Sequence, residues 1–272
     1  MSESVLIRFL YRTPVGRTVL QPFVRPAFSR IMAKYLSSPL SKWLVPYYVE
    51  KYDINLSEFQ QQKFRSFNDF FKREKILNIP QNPHTVYSPC DAYLSVYRID
   101  DTLHLPIKHS MYTLSDLLDD KKLSQHFANG LCCVFRLEPK HYHHYIFPVS
   151  GNIMATKRID GVLHTVRPIA CEAYPVWFHN SREYAVIENS AFGNVIQMEI
   201  GALMVGKICN LPHVQTAVQG SEKGYFEFGG STIMLLLENG KIQLSAKWDS
   251  VLNTHKEIPI AIGQPLGWKV ND

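Results

Sequence analysis

The stretch Lys223-Gly224-Tyr225-Phe226-Glu227-Phe228-Gly229-Gly230-Ser231-Thr232 leads directly into the apolar run Ile233-Met234-Leu235-Leu236-Leu237. The apolar run predicts a buried β-strand, with the glycine pair at its mouth. Glycine has no Cβ, so the pair tolerates backbone conformations that bring the Ser231 hydroxyl onto the preceding carbonyl. Attack by Ser231 Oγ on the Gly230 carbonyl would convert the amide into an ester, and β-elimination with hydrolysis would leave a pyruvoyl group at residue 231. A glycine-rich hairpin turn is the alternative for this stretch taken alone.

Composition indicates a globular protein that can bury a sizeable core. The chain has 272 residues, of which 46% are apolar and only 19% are charged. Its five cysteines form no CxxC or zinc-type spacing, and no signal peptide is recognisable at the amino terminus. Free thiols in a reducing, cytoplasmic location are therefore expected.

The amino-terminal segment is basic and amphipathic. Residues 1–48 carry one acidic residue, Glu3, and seven basic residues, namely Arg8, Arg12, Arg17, Arg25, Arg30, Lys34 and Lys42. Apolar residues recur at helical spacing between several prolines, which predicts short, broken helices. Such a segment suits an anionic membrane surface, and it contains no motif for binding nucleic acid. No apolar run is long enough to span a bilayer. Packing of the apolar faces on the rest of the chain is the alternative, and it is compatible with lipid contact.

The remainder of the chain is predicted to be mostly β-strand. A boundary falls near residues 75–86, where prolines interrupt the pattern. Strands are expected at 131–137, 196–200 and 233–237, and the alternation over 242–248 predicts another. A helix over 114–127 is expected with Thr113 as N-cap and Asp116 three residues on. The fold class is α+β, with a helical region over 1–75 and a β-sandwich catalytic core over 76–272.

Several long motifs, in one order, resemble those of the phosphatidylserine decarboxylases. The stretch Glu222–Thr232 is similar to the self-cleavage motif of that family. Seven further blocks resemble family motifs: Ser66–Arg73, Ser88–Asp91, Tyr112–Leu118, Arg136–Pro148, His164–Ile169, Asn180–Arg182 and Glu199–Ile208. The resemblance runs from about residue 10 to residue 267.

The resemblance implies a pyruvoyl-dependent carboxy-lyase that is made as a proenzyme. Cleavage between Gly230 and Ser231 would give a β chain of residues 1–230 and an α chain of residues 231–272. The substrate, phosphatidylserine, would form an imine with the pyruvoyl group, lose CO₂ and leave as phosphatidylethanolamine. The resemblance also implies a homodimer. Peripheral attachment to the cytoplasmic side of the cell membrane is expected from the basic amino-terminal segment, together with the lack of a recognisable signal peptide and of a membrane-spanning run.

Three site residues follow from matching the motifs position by position. Ser231 is expected to be the nucleophile of self-cleavage and then the pyruvoyl residue, because only a carbonyl can take up the electrons left by CO₂. Asp91 is expected at the end of an early strand, as part of the self-cleavage machinery. His143 matches the histidine that returns a proton after decarboxylation, a task that suits a neutral-range pKa.

The chain departs from the family at one important position. Ile146 stands where many relatives have a second histidine, which assists cleavage. An isoleucine cannot move a proton, so Asp91 or His143 would serve both steps, or His141, His144 or a more distant histidine would substitute. On a strand, His141 and His143 would share one face and His144 the other, a weak arrangement for metal binding, so no metal site is predicted.

Two other functions fit the same sequence. One is a pyruvoyl-dependent decarboxylase of a soluble amino acid, because residues that contact a lipid headgroup are not legible in the sequence. The other is a lipid-binding relative that does not cleave itself, which the replacement at Ile146 favours.

Overall fold

The protein is built around an eight-stranded antiparallel sheet. The structure is a computed structural model that describes residues 5–99, 113–166, 170, 176–202, 207–212, 214–227 and 231–270. The helices are α1 (Val5–Arg12), α2 (Pro14–Leu20), α3 (Pro26–Ser37), α4 (Leu44–Tyr52), α5 (Phe67–Phe71), α6 (Leu114–Leu118), α7 (Lys121–His126), α8 (Val176–His179) and α9 (Ala246–Asp249). The strands are β1 (Thr85–Tyr87), β2 (Ala92–Arg98), β3 (Leu131–Leu137), β4 (His144–Ile146), β5 (Gly151–Ile159), β6 (Arg182–Asn189), β7 (Gly193–Ile200), β8 (Ile208–Asn210), β9 (Thr216–Ala217), β10 (Glu222–Phe226), β11 (Ser231–Leu237), β12 (Ile242–Leu244), β13 (Ile258–Ile260) and β14 (Pro265–Lys269).

Strand β11 lies in the middle of the large sheet. The strand order is β13-β2-β3-β11-β7-β6-β5-β9, so β11 pairs with β3 on one side and β7 on the other. Every residue of β11 is buried, because both faces of the sheet are covered. This double burial explains why the sequence of the strand is a continuous apolar run instead of an alternating one.

The two faces of the large sheet are covered by different layers. Met234 and Leu236 face a core that includes residues of α1, α2, α6 and α8. Ile233 and Leu235 face a second core, shared with two three-stranded sheets of order β1-β14-β12 and β4-β10-β8. Helices therefore cover one side and small sheets the other, which confirms the α+β prediction.

The amino-terminal helices are short and broken, as predicted. Thr13 caps α2 by accepting a hydrogen bond from Gly16 N, and Pro14 occupies its first turn. Helices α1 and α2 pack on the large sheet through Tyr11 and Leu20. Helices α3 to α5 form a smaller core of their own around Leu36, Phe64, Phe67, Phe70 and Phe71. No helix within the described ranges has the length and apolar character needed to cross a membrane.

Two local predictions are wrong in part. The expected helix over 114–127 begins with the predicted capping box of Thr113 and Asp116, but it ends at Leu118 because Asp119 adopts a left-handed conformation with φ 49°. Asp120 then caps the separate helix α7. The expected strand over 242–248 ends at Leu244 and is followed by α9. Trp248 and Val251, three residues apart, both enter the core, so helical spacing prevails there.

Candidate active site

The predicted site lies at one end of the large sheet, where two of its strands begin and two others end. Because neighbouring strands are antiparallel, β2 and β11 begin at the edge where β3 and β7 end. Ser231 pairs with Leu137, the last residue of β3, and Thr232 pairs with Ile200, the last residue of β7. The fold therefore places Ser231 near the start of β2 and near the segment that connects β3 to β4.

Ser231 is fully buried at the start of β11. Its Oγ has no hydrogen-bond partner in the described part of the chain, and the same holds for Oγ1 of Thr232. Leaving a buried polar group unpaired costs about 1 to 3 kcal/mol, so the Ser231 hydroxyl is a feature that calls for a functional reason. Gly229 and Gly230 lie outside the described residues.

His143 presents one free ring nitrogen in a buried environment. Its Nδ1 lies 2.9 Å from the carbonyl oxygen of His141, and a carbonyl can only accept, so Nδ1 donates. In the neutral ring Nε2 then carries the lone pair, and this atom is buried without a partner among the described residues. The ring packs against Phe71 with 3.9 Å between ring centroids. Burial, followed by the positive charge of Arg73, lowers the pKa of His143 well below its usual value, so the ring is a neutral base.

Arg73 positions the segment that precedes His143, a role that sequence reasoning missed. The guanidinium is fully buried, and its Nη2 donates to the carbonyl oxygens of Lys140 and His141, each at 3.1 Å. Its Nη1 donates to the Phe70 carbonyl at 3.3 Å. Burial lowers the pKa of Arg73 to about 10, so the side chain stays charged at neutral pH. The available signal was its place in the block Ser66–Arg73, to which no role was assigned.

Asp91 lies directly before β2, and not at the end of an early strand as the sequence predicted. Its Oδ1 accepts a hydrogen bond from Ile262 N at 2.7 Å, and its Oδ2 forms an ion pair with Lys75 Nζ at 3.4 Å. No hydrogen bond from Asp91 to Ser231 or His143 occurs in the described residues. Asp91 is therefore brought to the same edge of the sheet as Ser231 but not into direct contact with it.

The two histidines near His143, His141 and His144, form hydrogen bonds with other parts of the chain. Strand β4 begins at His144, so the expectation that His141 and His143 also lie on a strand is wrong. His144 Nε2 faces the Lys72 carbonyl at 3.1 Å and its Nδ1 faces Glu222 Oε1 at 3.0 Å, which leaves neither nitrogen free.

His141 Nδ1 accepts a hydrogen bond from Glu138 N at 2.8 Å. Burial lowers the pKa of His141 to about 4. Within the described ranges, no group of three or more His, Cys, Asp or Glu side chains is arranged to hold a metal ion.

Ile146, the position of the departure, is buried and offers only its backbone. Its N–H donates to the Pro89 carbonyl at 2.9 Å, and its carbonyl accepts from Gln197 Nε2 at 3.2 Å. The second contact shows that Ile146 lies across from β7, over the face of the sheet that also carries Ser231.

A buried charged network on this face was also missed from sequence. Lys223 Nζ lies 2.5 Å from Glu199 Oε2, and Asn210 Nδ2 lies 3.2 Å from the same oxygen. Tyr145 donates its hydroxyl to Asn210 Oδ1 at 3.0 Å. Glu199 is fully buried, and burial raises the pKa of its carboxyl group. The sequence signals were the alternation in β7 and the places of Glu199 and Lys223 in two of the motif blocks, and neither signal indicates that the two charges are buried together.

Comparisons with known proteins agree with this arrangement. The family model described as phosphatidylserine decarboxylase matches residues 65–267. A phosphatidylserine decarboxylase proenzyme 2 of Clostridium acetobutylicum is 40% identical, over 98% of this chain and 92% of the relative. Phosphatidylserine decarboxylase proenzymes of Fusobacterium nucleatum and Clostridium novyi are 34% and 35% identical, over 100% and 97% of this chain and 93% and 92% of their own lengths. The chain therefore belongs to the phosphatidylserine decarboxylase family.

Proposed function

We propose that the chain is a proenzyme that cleaves itself between Gly230 and Ser231 and then converts phosphatidylserine to phosphatidylethanolamine and CO₂. The β chain is residues 1–230 and the α chain residues 231–272. The observation that carries the proposal is the fully buried Ser231 hydroxyl, without a hydrogen-bond partner in the described residues, directly after two glycines. A hydroxyl kept free in this way is available as a nucleophile toward the preceding carbonyl.

The surroundings of Ser231 fit a pyruvoyl group formed at that position. The pyruvoyl carbonyl supplies an acceptor for the electron pair that remains when CO₂ leaves. Residue 231 is fully buried and pairs with Leu137 of β3, so water is excluded from it. Phe226 N donates to the His143 carbonyl at 3.0 Å and Ser231 pairs with Leu137, so both Phe226 and Ser231 lie beside the segment that connects β3 to β4.

His143 is the proton carrier in this proposal. Its Nδ1 is held by the His141 carbonyl, so Nε2 is the atom that takes up and returns a proton. A neutral imidazole can accept a proton at neutral pH, and the lowered pKa makes the protonated ring a ready donor. Asp91 takes part in self-cleavage in this proposal. It lies directly before β2, where Ile262 N and Lys75 Nζ hold its carboxylate in place.

The amino-terminal helices are the proposed membrane-contacting surface. Large apolar side chains are exposed along this region: Val5, Leu6, Phe9, Val15, Val19, Phe23, Ile31, Tyr35, Leu40, Trp43 and Tyr47. The same helices pack on the core with their inner edges, so their outer edges are free to enter the headgroup zone of a bilayer. The seven cations of residues 1–48 favour anionic lipids.

Three further features complete the proposal, and of these only the homodimer comes from the resemblance to the family. The helical region over 1–75 is treated as the membrane-associating part and 76–272 as the decarboxylase domain, a division that falls in the coil between α5 and β1. The protein is proposed to be a homodimer of cleaved protomers. It is proposed to associate peripherally with the cytoplasmic side of the cell membrane.

The proposed function is tested by intact-mass spectrometry joined to a substrate comparison. The purified chain is incubated with vesicles that contain phosphatidylserine and, separately, with free amino acids. We expect two fragments that meet between residues 230 and 231, and CO₂ release from the lipid. Release from the free amino acids alone would favour a soluble-substrate decarboxylase. A full-length chain that binds vesicles without turnover would favour the lipid-binding alternative.

A further inference from the structure

We propose that Glu199 is the base that accepts the proton of Ser231 Oγ during self-cleavage, held for that task by Lys223 and Asn210. The inference rests on the proposed function, because it concerns the step that creates the α chain. Ile146 offers no side-chain proton acceptor, and both ring nitrogens of His144 are occupied. Both oxygens of Asp91 are engaged, by Ile262 N and Lys75 Nζ, and His143 is assigned the proton of the decarboxylation step, which leaves room for a separate base at Ser231.

Glu199 and Ser231 project from the same face of adjacent strands. Glu199 pairs with Ile233, which lies two residues after Ser231 on β11. Residues two apart on a strand share a face, and Ile233 faces the core between the large and small sheets. Glu199 is thus the diagonal cross-strand neighbour of Ser231, at a spacing of roughly 7 to 8 Å that a long side chain can bridge.

The two oxygens that would exchange the proton are both unsatisfied. Glu199 Oε2 accepts hydrogen bonds from Lys223 and Asn210, but Oε1 is buried with no partner among the described residues. Ser231 Oγ, on the neighbouring strand, is in the same condition. The two oxygens do not hydrogen-bond to each other in this arrangement, so a side-chain rotation must bring the accepting carboxylate oxygen to the donating hydroxyl.

The groups around Glu199 set its ability to act as a base. Lys223 on β10 faces it with a positive charge, Glu183 on β6 adds a negative one, and Asn210 on β8 donates a hydrogen bond. After burial, the negative charge of Glu199 also contributes to raising the pKa of Tyr145 on β4 and of Cys90 before β2. Burial outweighs the stabilising partners and raises the pKa of Glu199, which strengthens the carboxylate as a base.

The step balances without any further reactant. The Ser231 Oγ–H proton passes to Glu199 Oε1 while Oγ bonds to the Gly230 carbonyl carbon. The bond between that carbon and the Ser231 nitrogen then breaks, and the nitrogen takes the proton back from Glu199. The product is an ester with a free amine, and the Glu199 carboxylate is restored.

The test follows self-cleavage itself, in proenzyme made by cell-free synthesis and sampled over time by intact-mass spectrometry. The variants are Glu199→Gln, the double variant Glu199→Gln/Lys223→Met, and Glu188→Gln as a control. Glu188 is an exposed glutamate on β6, a strand that does not pair with β11. We expect Glu199→Gln to cleave at least about 100-fold more slowly than the parent and Glu188→Gln to match the parent.

The double variant guards against misfolding, because it removes the buried Lys223 charge that Glu199→Gln would leave unpaired. A folded double variant that cleaves at the parent rate would overturn the proposal. The parent rate is also measured across pH, and it should fall as Glu199 becomes protonated at lower pH. A rate that is flat from about pH 8 to about pH 4, below the ordinary value for a glutamate, would also overturn it, as would a fall that persists in the double variant. A parent chain that never cleaves would instead contradict the proposed function.

Discussion

Arg73 and His143 donate hydrogen bonds to the same oxygen, the carbonyl of His141. The distances are 3.1 Å from Arg73 Nη2 and 2.9 Å from His143 Nδ1. A carbonyl oxygen has two lone pairs, so the two donors saturate it and fix the tautomer of the imidazole. Arg73 also opposes protonation of His143 by its charge. Burial, followed by the charge of Arg73, thus keeps Nε2 as a free, neutral base.

Replacing Arg73 should therefore damage both stability and turnover. In Arg73→Met three carbonyls lose a donor, and we expect the free energy of unfolding to fall by about 2 to 4 kcal/mol. Urea unfolding of the uncleaved Ser231→Ala chain measures this change. The exposed Arg98 donates to one carbonyl and is the control, with an expected change within about 0.5 kcal/mol for Arg98→Met. Equal effects of the two substitutions would argue against the positioning role.

Replacing His143 should separate cleavage from decarboxylation. His143→Gln keeps a donor for the His141 carbonyl but removes the basic Nε2, so we expect normal fragments and a loss of turnover of about 100-fold or more. Release of CO₂ from phosphatidylserine vesicles measures turnover, and mass spectrometry measures cleavage. His144→Gln is the matched control and should retain turnover within a few-fold. Full activity of the cleaved His143→Gln enzyme would remove His143 from the mechanism.

Stability should decrease as pH falls below neutrality. Burial lowers the pKa of His164 and of His141 to about 4, below the usual 6.5. The unfolded chain takes up these protons near its higher pKa while the folded chain stays neutral, so stability is lost from about pH 6.5 toward about pH 4. Each histidine should contribute up to about 2 kcal/mol of this loss at about pH 5.

The uncleaved Ser231→Ala chain, unfolded in urea at about pH 7.5 and at about pH 5, measures the loss. Adding His164→Gln should reduce it by about 1 to 2 kcal/mol. The exposed His126 is the control, and His126→Gln should leave the loss unchanged. A loss that is identical with and without His164 would contradict the assignment.

Membrane contact should depend on the amino-terminal aromatic residues. Trp43 is 63% exposed, and Trp43→Ala should weaken binding to anionic vesicles about tenfold, because burying such a ring contributes about 1.5 to 3 kcal/mol. Vesicle sedimentation measures the binding, and added salt should weaken it further. Trp268, 46% exposed on β14, is the matched control. Equal losses for Trp43→Ala and Trp268→Ala would count against the proposed surface.

The parts of the fold that were predictable from sequence are those set by local pattern. Strand β11 was expected because a continuous apolar run suits a strand buried on both faces. The capping box at Thr113 was expected because its partner lies three residues away. The break at Asp119 was not, because a left-handed residue other than glycine leaves little trace in a hydrophobic pattern.

The motifs supplied Ser231, Asp91 and His143 as candidate site residues, and their roles stay predictions. The structure places Ser231 and Asp91 at the same end of the large sheet and His143 in the segment between β3 and β4. Arg73 and the Glu199–Lys223 pair were missed because their contacts join distant parts of the chain, which no periodicity reveals. Arg73 is 68 residues from His141, and Lys223 is 24 residues from Glu199.

The most direct test of the account is the intact mass of the purified protein beside two single variants. We predict that the parent yields residues 1–230 and residues 231–272, the latter blocked by a pyruvoyl group. Ser231→Ala should remain one folded chain, while Thr232→Val, which removes the adjacent buried hydroxyl, should cleave. A parent that stays full length while it decarboxylates phosphatidylserine, or a Ser231→Ala chain that cleaves normally, would contradict the account.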